Sequence, residues 1–261
     1  MNYYFFLNHF DKLLNSSLDI FNFPPNNKFC KDIIRDIYPY AFYSTGTEWK
    51  IYQLNKIKKN EAISICKNDL PNDFLNESVF VSFSFLPNSF TESLDNLNYM
   101  NSSPQWRANT KIFNDYTSAS YQGEYPGSML NKKFSLVSCS PMIQRQHETI
   151  FYLINLTNSA KKFDFELEIL TTKFEVIAKL TCTTNSVNMF NLNDLNYNFT
   201  DDFYVFKSNN FGGVPAYFTK SKDSKSMGIE HTHPPSEYIF LGDRNHFQKL
   251  KKKYWIYGKS I

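Results

Sequence analysis

Apolar and polar side chains alternate with a period of two along several stretches of this chain, and that period constrains the fold more than any other feature. Val79, Val81, Phe83 and Phe85 alternate with Ser82 and Ser84. Phe163, Phe165, Leu167 and Ile169 alternate with Asp164, Glu166 and Glu168, and Phe174, Val176, Ala178, Leu180 and Cys182 continue the pattern. Successive side chains of an extended strand point to opposite faces, so each stretch carries one apolar and one wet face. Antiparallel sheets with one solvated face produce this pattern, whereas strands of parallel sheets read as continuous apolar runs. Aromatic residues make up 18% of the chain, a bias that suits strands.

Further strands are predicted over 41–54, 61–66, 106–114, 133–140, 149–156, 203–208, 214–220, 227–233 and 236–241, with short turn-rich pieces between them. So many short strands predict an all-β fold, an antiparallel β-sandwich or jelly roll. Phe10, Leu13, Leu14, Leu18 and Phe21 recur at helical spacing, which predicts an amphipathic helix over 9–21, ended by Pro24-Pro25. A second short helix is predicted from Phe29 to Ile37. These two form an N-terminal helical cap over 1–38, ahead of a sandwich domain over 39–261. The polar stretch from Thr91 to Pro104 marks a sub-boundary and is predicted to hold a short helix. The Asn-rich stretch from Asn185 to Asn198 is predicted to be a long loop.

A chain of 261 residues is long enough to bury roughly 70–75% of its unfolded surface. Its 28 basic and 25 acidic groups nearly balance, so no global field favours nucleic acid or an anionic membrane. No stretch approaches the roughly 20 apolar residues of a membrane span, and the apolar start, Met1 to Leu7, lacks the basic lead and length of a secretory signal. Cys30, Cys66, Cys139 and Cys182 have no paired spacing of a metal ribbon or redox motif. A cytoplasmic protein with reduced thiols is the expectation. Among eight glycines there is no phosphate-cradling loop and no nucleophile elbow, so no nucleotide cofactor is expected.

The sharpest candidate for chemistry is His231-Thr232-His233-Pro234-Pro235-Ser236-Glu237. On extended backbone His231, His233 and Glu237 share one face, and two imidazoles with one carboxylate are a metal-binding set. Pro234 and Pro235 donate no backbone hydrogen bond, so the strand ladder must break there. The stretch resembles the first metal motif of the cupin superfamily, in which His-x-His is followed by Glu and then Gly, here His231, His233, Glu237 and Gly242. The resemblance covers about fifteen residues and implies a divalent metal ion such as iron, manganese, nickel or zinc. The second cupin motif is missing, so a fourth ligand would come from His246 or His147. The competing expectation places His231 and His233 on the wet face of an edge strand that the prolines protect from pairing.

A second candidate is Trp106 and Arg107 together with Tyr121, Glu124 and Tyr125. Arg107 supplies a planar fork for an oxyanion, and the aromatics a stacking surface for a sugar or another flat ligand. Packing offers the alternative: a structural Arg–Glu pair and core aromatics around a turn. Cys139 and His147 flank a predicted hairpin loop, without a third group to orient them. Two functions follow. One is a cupin-like, metal-dependent enzyme acting on a small polar, sugar-like substrate. The other is a non-catalytic module that binds carbohydrate or protein.

Overall fold

A computed structural model describes residues 3–7, 14–23, 36–84, 108–121, 125–126, 130, 136–199, 202–209 and 211–231. The strands within them are β1 (Tyr3–Leu7), β2 (Asn15–Asn22), β3 (Tyr38–Ser44), β4 (Trp49–Gln53), β5 (Glu61–Cys66), β6 (Val79–Ser84), β7 (Ala108–Phe113), β8 (Ser118–Tyr121) and β9 (Tyr125–Pro126). They continue with β10 (Leu136–Cys139), β11 (His147–Asn155), β12 (Asp164–Leu170), β13 (Val176–Thr183), β14 (Ser186–Asn191), β15 (Val205–Ser208), β16 (Val214–Ser221) and β17 (Met227–His231). Every pairing between these strands is antiparallel. The fold is therefore all-β, and no helix among the described residues is long and apolar enough to cross a membrane.

The strands form four sheets, ordered β5-β2-β7-β8, β4-β3-β6-β1-β9, β14-β11-β16-β17 and β10-β15-β12-β13. Alternating side chains on the middle two sheets decide how the layers stack. Phe5, Leu7, Ala41, Tyr43, Val79 and Val81 meet Leu18, Ile20 and Ala108 of the first outer sheet in one core. From the reverse face of the same sheet, Tyr4, Phe6, Phe42 and Phe80 meet Ile150, Tyr152, Ile154, Ala216 and Phe218 in a middle core. Phe151, Leu153 and Tyr217 turn the other way and pack on Leu167, Ile169, Leu180 and Phe206 of the second outer sheet. The molecule is a stack of two sandwiches that share an apolar middle layer.

Polar contacts also join the two sandwiches. Ser44 Oγ donates to the Ala160 carbonyl, the Val187 N–H donates to Ser78 Oγ at 2.9 Å, and Asn114 Nδ2 donates to the Ser224 carbonyl at 2.8 Å. Strand β8 of the first outer sheet lies alongside β17, and its Tyr121 reaches into the middle core. Gly213 lets the chain pass close to β11, because a Cβ there would run into the Ile154 carbonyl.

Three sequence expectations change. Of the helix predicted over 9–21, the described residues form none: Asn15–Asn22 is strand β2, paired with β5 and β7. Leu18 and Ile20, two apart, are the apolar residues it buries, while Phe21, part of the helical pattern, is 36% exposed. The spacing of Leu14, Leu18 and Phe21 fits a helix, but the sheet on either side supplies the hydrogen bonds. The loop predicted over 185–198 contains β14, which pairs with β11 along six residues. Its polar Asn side chains sit at a sheet end, where a wet strand is tolerated. Strands β3, β6, β11 and β16 are antiparallel yet almost continuously buried, because sheets cover both their faces. The short helices predicted over 29–37 and 91–104 and the strand over 236–241 lie wholly or mostly outside the described residues.

Candidate functional site

Strand β17 carries extended backbone as far as His231, whose α-carbon pairs with that of Ala216. His233, Glu237 and His246 lie outside the described residues, as do Trp106, Arg107 and Glu124. On the other side of β16, His147 pairs with Ser221. Ala216 and Ser221 are five positions apart, so the two histidines are offset by roughly 17 Å along the strands, beyond the reach of two imidazoles on one ion. Among the described residues no group of three or more His, Cys, Asp or Glu side chains is arranged to hold a metal.

Tyr121 and Tyr125 are enclosed in the middle core, at 6% and 2% exposure. The Tyr121 ring lies 5.8 Å from that of Phe6. Burial pushes both phenols well above the usual tyrosine pKa, as expected where the phenolate would lose its hydration. Cys139 and His147 fall on different sheets, β10 of the outer one and β11 of the inner one. Desolvation pushes the Cys139 thiol up, the opposite of what an activated nucleophile needs.

Two polar features escape a sequence reading. At the rim of the middle core, Lys220 Nζ lies 3.0 Å from Glu148 Oε2 with its side chain 7% exposed, and Asn191 Nδ2 donates to Glu148 Oε1 at 3.2 Å. These residues meet because β11 pairs with β14 on one side and β16 on the other. Glu148 also contributes to raising the Tyr152 pKa, behind the larger effect of burial.

The second feature is a groove of about 180 Å³ beside β12 and the end of β15, lined by Asp164, Glu166, Glu168, Lys207 and Asn209 together with Phe165, whose ring belongs to the core, and Phe211 packed against that core. Alternation along β12 puts the three carboxylates in one row. Pairing with β15 then sets Lys207 opposite Glu168, Nζ to Oε2 at 3.0 Å. Pairing with β13 sets Lys179 against the same row, 2.8 Å from Glu166 and 3.9 Å from Glu168. The hydrogen bond to Glu166 raises the Lys179 pKa. Thr183 Oγ1 donates to Asp164 at 2.8 Å, and the Phe165 and Phe211 rings lie 5.4 Å apart. The wet face of β12 was legible in the sequence. That Lys207, Asn209 and Phe211 complete it was not, since they are about forty residues away and β15 is the link.

Such a groove offers hydrogen-bond acceptors, an ammonium, an amide and an aromatic edge, a set suited to a polar ligand with an apolar flank. A second depression of about 160 Å³ is lined by Gln144, Arg145, Asn193, Tyr197, Asn198 and Phe199, among others. No protein-family model, curated protein or solved structure matches the chain.

Proposed function

We propose that this protein is a non-catalytic binding module and that its contact surface is the wet face of the second outer sheet, with glycans as the ligand class. The observation that carries this is the groove itself: Asp164, Glu166, Glu168, Lys207 and Asn209 converge from two paired strands and the turn that follows, and the Phe165–Phe211 pair completes the lining. Sugar hydroxyls bond to planar carboxylates and amides, and the C–H face of a pyranose packs on aromatic carbon. The volume suits one sugar ring, so the remainder of a longer glycan would lie across the open sheet. The ion pairs with Lys179 and Lys207 hold the carboxylates in place and lower the cost of ordering them on binding.

Titration of ¹⁵N-labelled protein with a panel of neutral and acidic oligosaccharides tests this. Shifts at Asp164, Glu168, Lys207 and Asn209, lost in an Asn209→Ala, Phe211→Ala variant that keeps its melting temperature, are expected. Shifts confined to other surfaces, or none across the panel, refute the glycan reading.

The second reading is a cupin-like, metal-dependent enzyme acting through His231, His233 and Glu237. It rests on the spacing of those residues and on the extended backbone that reaches His231 in β17. Metal analysis of the purified protein decides it: about one equivalent of a transition metal, lost in a His231→Ala, His233→Ala variant, is what it requires.

A further inference from the structure

We infer that β13 is a dimerisation edge, pairing antiparallel with β13 of a second copy so that the second outer sheet runs continuously through both protomers. This inference rests on backbone geometry and is independent of what the groove binds.

Strand β13 ends the hydrogen-bonded order of its sheet. At eight residues it is longer than the other strands at sheet ends among the described residues, which have six or fewer. The direction of its outward backbone groups is fixed by Asn188, whose side chain caps Thr183 from the side away from β12. The Thr183 N–H donates to Asn188 Oδ1 at 2.7 Å, and Asn188 Nδ2 donates to the Thr183 carbonyl at 2.9 Å. Backbone groups alternate in direction along a strand, so Thr181 and Lys179 turn their N–H and C=O outward in the same way. Those groups have no partner among the described residues.

Exposed edges are ordinarily guarded by proline, bulges or charge aimed at the edge. Residues 176–183 contain no proline or glycine, four β-branched side chains and the single charge of Lys179. That ammonium is drawn back over its own sheet by Glu166 and Glu168, so it does not guard the edge. The register also favours a second copy. A two-fold axis at Leu180 sets Leu180 opposite itself, and Lys179 of each chain opposite Thr181 of the other, with reciprocal N–H to C=O bonds at both pairs. No like charges face one another, whereas an axis at Lys179 would put two ammonium groups directly opposite. Ala178, Leu180 and Cys182 would then extend the row of core-facing side chains across the junction. The Asn188 side chain ends the open edge beyond Thr181 in both copies.

Sedimentation equilibrium of the full chain tests this, with Thr181→Pro and Thr181→Lys as variants. Thr181→Pro deletes an outward N–H that makes no bond to any of the described residues. Thr181→Lys keeps the backbone donor and places an ammonium opposite Lys179 of the second copy. A wild-type dimer of roughly micromolar Kd is expected for so small an interface, weakened about tenfold or more by either variant while the circular dichroism spectrum and monomer melting stay unchanged. A wild-type chain that stays monomeric at about 100 μM, or a dimer that neither folded variant weakens, overturns the proposal.

Discussion

The inner and outer sheets of this protein obey the same pairing rules and bury their residues in opposite ways. In β11 and β16 of the second inner sheet, alternate residues face different cores: Ile150, Tyr152 and Ile154 one way, Phe151 and Leu153 the other. In β12, on the neighbouring outer sheet, Phe165, Leu167 and Ile169 face the core while Asp164, Glu166 and Glu168 carry the groove. Stacking accounts for the difference. A sheet covered on both faces needs apolar residues at odd and even positions alike, and its strands then resemble those of a parallel sheet although their direction is antiparallel. Polar side chains are buried in both kinds of layer, such as Ser82, Thr149 and Asn155 in the inner sheets and Thr110 and Ser138 in the outer ones, but the row of carboxylates along β12 needs the solvated face that only an outer sheet offers.

The largest expected effect that would sharpen this contrast comes from truncating an inner ring. Phe151 is fully buried, stacks on Phe206 at 4.2 Å and lies 5.1 Å from Tyr217, so Phe151→Ala should cost about 3–5 kcal/mol in urea unfolding. Phe163, 46% exposed beside β12, should lose no more than about 1 kcal/mol on the same change. Comparable losses at the two sites would break the distinction between inner and outer layers.

Charge gives a smaller test. Removing Lys220, whose side chain is 7% exposed, leaves Glu148 half-buried without its cation. Because Glu148 retains some access to water, Lys220→Ala should cost about 1–3 kcal/mol, below the full penalty of a wholly buried pair. Lys179 sits in a solvated ladder on the outer sheet, and Lys179→Ala should cost under about 1 kcal/mol and be insensitive to the inner core. Salt titration separates them further, since only the outer pair should weaken appreciably with ionic strength.

The smallest effect is read from pH. Burial pushes the Cys182 thiol from 9.0 up to about 12. Below the lower value the thiol is protonated in both states and adds no pH dependence. Between the two values only the unfolded chain gives up its proton, so stability falls as pH rises, by up to about 1.4 kcal/mol per pH unit for this group. Buried tyrosines add to the same alkaline limb, so the check is the difference between wild type and Cys182→Ala. The variant should show the shallower slope above about pH 9, and equal slopes would mean that Cys182 is not held neutral by the core.

Legibility in the sequence did not depend on exposure alone: β6, β11 and β16, buried along most of their length, fall where strands are predicted from Val79 to Phe85 and over 149–156 and 214–220. Strands β12 and β13 announced themselves because one face is wet, and β5 was located to the residue at Glu61–Cys66. Strand β2 did not, since Leu14, Leu18 and Phe21 satisfy a helical period as readily as an extended one until neighbouring strands compete for the backbone. Strand β14 was hidden by its Asn content, because a sheet end tolerates polar residues that a central strand excludes. Of the second candidate set, Tyr121 and Tyr125 emerge as rings in the middle core. His231 is seen only as the end of β17, and the other members of both sets lie outside the described residues.

Local chemistry, repeated every two residues, was enough to dictate extended backbone, antiparallel pairing in the outer layers and a core rich in aromatic rings. The order of the sheets, the sharing of a middle core by two sandwiches, the meeting of Lys207 and Asn209 with the β12 carboxylates and the place of β13 at the end of its sheet among the described strands depend on contacts between residues distant in the chain. A period says which face of a strand is apolar. Only packing says which other strand will cover it.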